Sequence, residues 1–144
     1  MGLAYRPTDY SKWGALISRM AKHLHARYPT KEIMFEVSPS CCCCRRAHAG
    51  GCRGPPPVHA HRRCTVAQVW NEPNGGFWHP GPLGSQQDTY FRLYQETANA
   101  LKSVSAENFK VGGPATAGCP GWTAELVAFA HANHTALDFI TCHN

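Results

Sequence analysis

Long apolar runs are missing from this sequence: no stretch approaches the ~18–20 residues that span a bilayer. The start, Met1-Gly2-Leu3-Ala4-Tyr5-Arg6-Pro7, lacks the charged-then-apolar design of a secretory signal. Arg6 stands where a myristoylation motif has Ser or Thr. The expectation is a soluble protein with no membrane association, and no compartment is indicated. Asn133-His134-Thr135 is a formal glycosylation triplet, a pattern that recurs by chance and carries little weight without a signal peptide. Acidic residues are also scarce, 9 against 14 Lys and Arg, which gives a net charge of +5 over 144 residues. That shortage is local. Residues 37–68 contain no acid at all, yet hold Arg45, Arg46, Arg53, Arg62 and Arg63. They also hold Cys41, Cys42, Cys43, Cys44, Cys52 and Cys64, six of the 8 cysteines. The rest of the chain is electrically neutral and keeps only Cys119 and Cys142, too few to read as a disulfide framework.

Outside that stretch the patterning is regular. Trp13, Leu16, Ile17, Met20 and Leu24 recur at helical spacing and predict a helix from about Tyr10 to Arg27, capped by Thr8 or Asp9 and closed by Pro29. Tyr90, Leu93, Tyr94, Thr97 and Leu101 predict a second helix over about Asp88 to Val104. Trp122, Leu126, Phe129 and Ala130 predict a third, ending near Asn133. Short apolar segments follow each helix: Ile33-Met34-Phe35, Phe109-Lys110-Val111 running into Gly112-Gly113-Pro114, and Leu137-Asp138-Phe139-Ile140-Thr141. Helix and strand in alternation imply an α/β fold with a parallel sheet.

The chemistry concentrates in Val69-Trp70-Asn71-Glu72-Pro73-Asn74. Pro73 cannot donate to a ladder, so a strand entering this motif ends about there. Glu72 then sits at the C-terminal tip of a parallel strand, the end at which βα barrels gather catalytic groups. A carboxyl there can protonate a glycosidic oxygen. Asn71 can hydrogen-bond a sugar hydroxyl, and Trp70, Phe77 and Trp78 offer aromatic faces for sugar rings.

Glu36, the Val69–Asn74 motif and Phe77-Trp78 together resemble glycoside hydrolase family 39, the β-xylosidase and α-L-iduronidase family. Three further blocks extend the likeness: Tyr90-Phe91-Arg92-Leu93-Tyr94, Lys110-Val111-Gly112-Gly113-Pro114-Ala115, and Leu137 through His143. The Asn-Glu-Pro-Asn motif with Phe-Trp nearby leans to the xylosidase branch. The resemblance implies a TIM (β/α)8 barrel fragment, from about helix 3 to strand 6, and a retaining glycosidase that uses no metal or organic cofactor. Its substrate would be an oligosaccharide or other glycoside, not nucleic acid. By the same resemblance Glu72 is the general acid/base, and Asn71 holds the 2-hydroxyl of the sugar being cleaved. His143 lines the same pocket, and Phe77, Trp78 and His79 lie towards the leaving group.

Two departures qualify that picture. A complete barrel takes ~250 residues, and a retaining mechanism needs a second carboxylate ~5–5.5 Å from the first. The family carries that nucleophile on strand 7, beyond Asn144. Glu36, Asp88 and Asp138 do not stand in for it, so the chain by itself is expected to be inactive. An open three-stranded sheet with two free edges also predicts marginal stability or aggregation. The second departure is the basic stretch. Removing residues 37–68 joins Phe35-Glu36 to Val69-Trp70-Asn71-Glu72 and restores the family motif without a gap. Val37-Ser38 and Gln68 accept the GT…AG letters of an intron, and a 32-residue length keeps the frame. The expected organisation is therefore a partial barrel over 1–36 and 69–144, interrupted by a disordered translated intron at 37–68. Two other function classes remain: a non-catalytic carbohydrate-binding remnant, and a small metal-binding protein built on the Cys and His of 37–68. Four adjacent cysteines do not converge easily on one tetrahedral ion, which disfavours the second.

Overall fold

A computed structural model of the chain describes residues 4–28, 34–35, 65–76, 78–81 and 84–144. Among them the strands are β1 (Ala4–Tyr5), β2 (Met34–Phe35), β3 (Thr65–Gln68), β4 (Trp78–His79), β5 (Phe109–Ala117) and β6 (Phe139–His143). The helices are α1 (Tyr10–Arg27), α2 (Gln86–Val104) and α3 (Thr123–Ala132).

Each long helix begins where a side chain can satisfy its free N–H groups. Asp9 caps α1 by accepting from the Lys12 amide, and Ser85 caps α2 by accepting from the Asp88 amide at 3.0 Å. The α2 stripe is buried as its spacing predicts: Tyr90, Leu93, Tyr94, Thr97 and Leu101 all face the core. The α1 stripe differs. Tyr10, Ile17 and Ala21 are its buried positions, while Leu16 is 57% and Met20 38% exposed. The reason is polar as well as apolar. Tyr10 Oη donates to the Thr89 carbonyl at 3.1 Å, and Trp13 Nε1 donates to Thr97 Oγ1 at 2.8 Å. These bonds turn α1 so that the Tyr10–Ile17–Ala21 line meets α2 and the Leu16–Met20 flank does not. In α3, Leu126 and Ala130 are buried, and Trp122 and Phe129 pack against Phe91 with ring centroids 6.3 and 5.1 Å away.

The main sheet has the order β2-β3-β5-β6 and is parallel throughout; β1 and β4 form a separate parallel pair. The α/β alternation and the parallel sheet agree with the sequence pattern, but three strand expectations are corrected. First, β5 does not end in Gly112-Gly113-Pro114. It runs through Gly112, Gly113 and Pro114 to Ala117, because β6 pairs alongside it. Gly112 is required by that pairing: a Cβ there would strike the Phe139 ring and carbonyl. Second, β6 is shifted towards the C-terminus and ends on His143. Third, the last four residues of the expected insert are ordered. Residues 65–68 form β3, with Thr65, Val66, Ala67 and Gln68 aligned against Phe109, Lys110, Val111 and Gly112 of β5. Thr65 and Val66 are both β-branched, which favours a strand there. β2 lies on the other side of β3, in parallel, and is not fused to Val69. The connection between them is residues 36–64, so the rest of the expected insert, together with Glu36, lies outside the described residues.

Tyr90 and Tyr94 fasten α2 to the sheet. Tyr90 Oη donates to the Val69 carbonyl at 2.8 Å, and Tyr94 Oη to the Ala136 carbonyl at 2.8 Å. Burial pushes both phenols well above their ordinary pKa; Tyr94 adds to the effect at Tyr90, and Asp138 adds to it at Tyr94. Both therefore remain protonated donors.

Candidate active site

Beyond Gln68 the chain keeps following β5. The Val69 amide donates to the Gly112 carbonyl at 3.0 Å and the Glu72 amide to the Ala115 carbonyl at 2.9 Å. Glu72 thus stands at the C-terminal end of the sheet, where Pro73 blocks further pairing. The backbone there is strained. Trp70 has φ +67°, Glu72 φ +48°, and Ala115 opposite has φ +52°. Left-handed backbone costs a residue with a side chain roughly 1–2 kcal/mol, and such conformations gather at functional sites when surrounding contacts over-determine them. The contacts are present. The Gly75 amide closes a turn on the Glu72 carbonyl at 2.9 Å. Asn74 clips the turn to β5: its Nδ2 donates to the Ala117 carbonyl at 2.9 Å and its Oδ1 accepts from the Ala117 amide at 2.8 Å.

Opposite Glu72 stands the last residue of β6. His143 Nδ1 lies 2.8 Å from Glu72 Oε1, with both side chains partly exposed. The structure thus brings together two residues 71 positions apart from the ends of two parallel strands. An imidazole there can donate to an ionised carboxyl and can fix its orientation when neutral. Asn71 precedes Glu72, and its Oδ1 is buried with no hydrogen-bond partner among the described residues. An unmet buried acceptor costs about 1–3 kcal/mol, and a hydroxyl donor from a ligand would satisfy it.

Trp78 is not a surface aromatic. It is 2% exposed, packs edge-on against Trp70 at 5.1 Å, and donates its indole N–H to Thr89 Oγ1 at 3.1 Å. Its side chain belongs to the core, which is the correction to the sugar-facing expectation. His79 takes part in β4, where its carbonyl accepts from the Arg6 amide at 3.1 Å. Phe77 lies outside the described residues.

The sequence reading missed two features of the site. One is the Asn74 clip, visible in the sequence only as the last letter of the motif. The other is a disulfide between Cys119, in the turn after β5, and Cys142, next to His143, with Cα atoms 5.5 Å apart. Two cysteines 23 residues apart carried no signal until β5 and β6 were known to be neighbours. Among the described residues no group of three or more His, Cys, Asp or Glu could hold a metal ion. No helix among them is long and apolar enough to cross a membrane.

The profile of glycosyl hydrolases family 39 matches residues 65–144, more than half of the chain. A β-xylosidase of Caldicellulosiruptor saccharolyticus is 34% identical over 139 residues, covering 95% of this chain and 21% of that protein. A β-xylosidase of Geobacillus stearothermophilus is 36% identical over 83 residues, covering 56% of this chain and 16% of that protein. A solved glucosidase from Croceicoccus marinus superposes over 96% of this chain and 23% of its own, with a TM-score of 0.55 at 18% identity, a likeness of fold alone. The chain belongs to glycosyl hydrolase family 39. It spans about a fifth of the length of these relatives. The match begins at Thr65, the residue at which β3 begins.

Proposed function

We propose that this chain carries the acid/base half of a retaining, β-xylosidase-like active site, on a segment equivalent to about helix 3 to strand 6 of a TIM barrel. The observation that carries the reading is the 2.8 Å contact of Glu72 with His143 across the C-terminal ends of a parallel sheet. In the first step Glu72 gives its proton to the glycosidic oxygen as the bond to the anomeric carbon breaks and a nucleophilic carboxylate from outside the described residues bonds to that carbon. In the second it takes a proton from the water that releases the sugar. Asn71 accepts the hydrogen of the 2-hydroxyl, which meets the unsatisfied Oδ1. His143 holds the carboxyl between these two proton transfers.

The nucleophile comes from outside the described residues. Asp9 caps α1, Asp88 and Glu96 lie on α2, Glu125 lies on α3, Glu107 precedes β5, and Asp138 precedes β6. Of the described acids only Glu72 stands at the C-terminal end of a main-sheet strand. The described residues alone should therefore not turn over a glycoside.

The test uses a nitrophenyl β-xyloside with the chain as it stands and with a longer product of the same gene. The chain is expected to show no release above background. A longer product that adds a further strand ending in Glu is expected to cleave, and E72Q in it to lose about 10²–10⁴-fold. Full activity of E72Q would remove the assignment. Xylo-oligosaccharide binding that needs Asn71, but with no cleavage by any longer product, would favour a binding remnant.

A further inference from the structure

We propose that the Cys119–Cys142 disulfide is a positioning clamp for the Glu72–His143 pair, and that reducing it releases His143 from Glu72. The consequence for catalysis rests on Glu72 being the acid/base; the geometry does not.

A closed circuit of contacts supports the assignment. Glu72 is tied to β5 through its own amide on Ala115 and through the two Asn74 bonds to Ala117. The tip of β5 is tied to the tip of β6 by strand register, Thr116 against Cys142 and Ala117 against His143, and then by the disulfide. His143 closes the circuit on Glu72. The circuit is thinnest at β6. Its pairing with β5 is irregular between Pro114 and Thr116. The bridge sits at that weak end, one residue from the imidazole. The Cys119 Sγ also lies 3.5 Å from the His143 carbonyl, so the bridge touches the residue it would hold.

The bridge is also accessible. Cys119 is exposed, in a turn framed by Gly118 (φ +79°) and Gly121 (φ +49°), and Cys142 is less so. Thiolate exchange needs such access. A small dithiol attacks the Cys119 sulfur, the S–S bond breaks, and Cys142 leaves as a thiolate that takes up a proton. The second thiol of the reagent then displaces Cys119. The protein gains two electrons and two protons, and the reagent leaves as a cyclic disulfide.

The test reads the ring ¹⁵N resonances of His143 at fixed pH in the whole chain, without any substrate. E72Q marks the value for an imidazole that has lost the carboxylate. Treatment with dithiothreitol, and separately Cys119→Ser and the double variant Cys119→Ser/Cys142→Ser, should each move Nδ1 to the E72Q value. His131 on α3 and the far-ultraviolet circular dichroism should stay unchanged. A His143 signal that stays put when the bridge opens overturns the proposal. So does an E72Q variant with no effect on His143, since the contact is then absent. Loss of the whole fold on reduction also overturns it, because the bridge is then a staple for the domain. None of these results depends on Glu72 being catalytic, which the cleavage assay decides separately.

Discussion

Gly113 and Tyr90 make a sharp test of how α2 fixes the strand that delivers Glu72. A Cβ on Gly113 would lie 2.6 Å from the Tyr90 hydroxyl, and its next neighbours, Leu126 Cδ2 and Tyr94 Cδ2, are both 3.8 Å away. The clash is therefore with one oxygen. That oxygen is fully buried and donates to the Val69 carbonyl at 2.8 Å. In Gly113→Ala the hydroxyl must retreat from the new Cβ, which draws it off its bond. Overpacking costs about 1–3 kcal/mol and the lost bond adds about 1 kcal/mol. Alanine returns about 0.5–1 kcal/mol by restricting the unfolded backbone. A net loss of about 2 kcal/mol follows. Tyr90→Phe alone leaves the Val69 carbonyl unmet and costs about 1–3 kcal/mol. The double variant has no hydroxyl to strike and no bond left to lose, so it should be about as stable as Tyr90→Phe. The coupling is then about 2 kcal/mol, within the range for residues in contact. Urea unfolding followed by tryptophan fluorescence measures it: at ~1–3 kcal/mol/M, Gly113→Ala should lower the midpoint by about 1 M. Additive losses, with coupling under about 0.5 kcal/mol, would refute the claim that this hydroxyl faces Gly113 and anchors Val69.

Three further outcomes are expected. Burial opposes ionisation of Asp138, but the Lys102 hydrogen bond, the Val111 amide and the charges of Lys102 and Lys110 outweigh it and hold the carboxyl below its usual range. A carboxyl lowered in the folded state stabilises fully above its unfolded pKa of about 3.9 and loses that contribution as pH falls through the folded value; thermal unfolding should thus place Asp138→Asn about 1–2 kcal/mol below the parent at neutral pH, with the gap closing in acid. Asn74→Ala removes two bonds at a partly exposed turn and should cost about 1–2 kcal/mol, seen as a melting point lower by about 2–8 °C; an unchanged melting point would dismiss the clip. Mature transcript is expected to lack the segment coding for residues 37–68, and a chain deleted for those residues should unfold cooperatively with a midpoint no lower than the parent's; retention in every clone, or an unfolded deletion, goes against the intron reading.

Local signals in the sequence were enough to locate the helices. Asp9 caps α1, and the α2 stripe has one face to bury. What was not legible depends on partners distant in the chain. Whether Leu16 or Ala21 faces inward on α1 is decided by hydrogen bonds to Thr89 and Thr97 some 80 residues away. Whether Gly112-Gly113-Pro114 ends a strand or continues it is decided by Phe139 lying against Gly112. The burial of Trp78 follows from a threonine on α2 that accepts its N–H. For the same reason the Cys119–Cys142 pair stayed silent until the strand order was known.

The overlap of the expected insert with β3 has a more particular cause. The frame of the motif requires 32 residues to be removed, and that places Ile33, Met34, Phe35 and Glu36 in the positions of Thr65, Val66, Ala67 and Gln68. The structure aligns β2 and β3 in the same offset, Met34 with Val66 and Phe35 with Ala67. Both segments are apolar for three residues or nearly so, and both end in a side chain of glutamate shape. Each can therefore precede Val69 in a parallel strand beside β5. With the stretch present, Thr65–Gln68 occupies that place because it is covalently next to Val69 and closes no loop, whereas Met34–Phe35 must reach the sheet across residues 36–64. Closing a loop of that length costs about 3 kcal/mol of chain entropy. Without the stretch the earlier segment inherits the contiguous position at no such cost, and Phe35 stands where Ala67 is now buried at 8% exposure. Sequence alone reveals that two segments suit one strand; only the chain's connectivity decides which of them leads into Glu72.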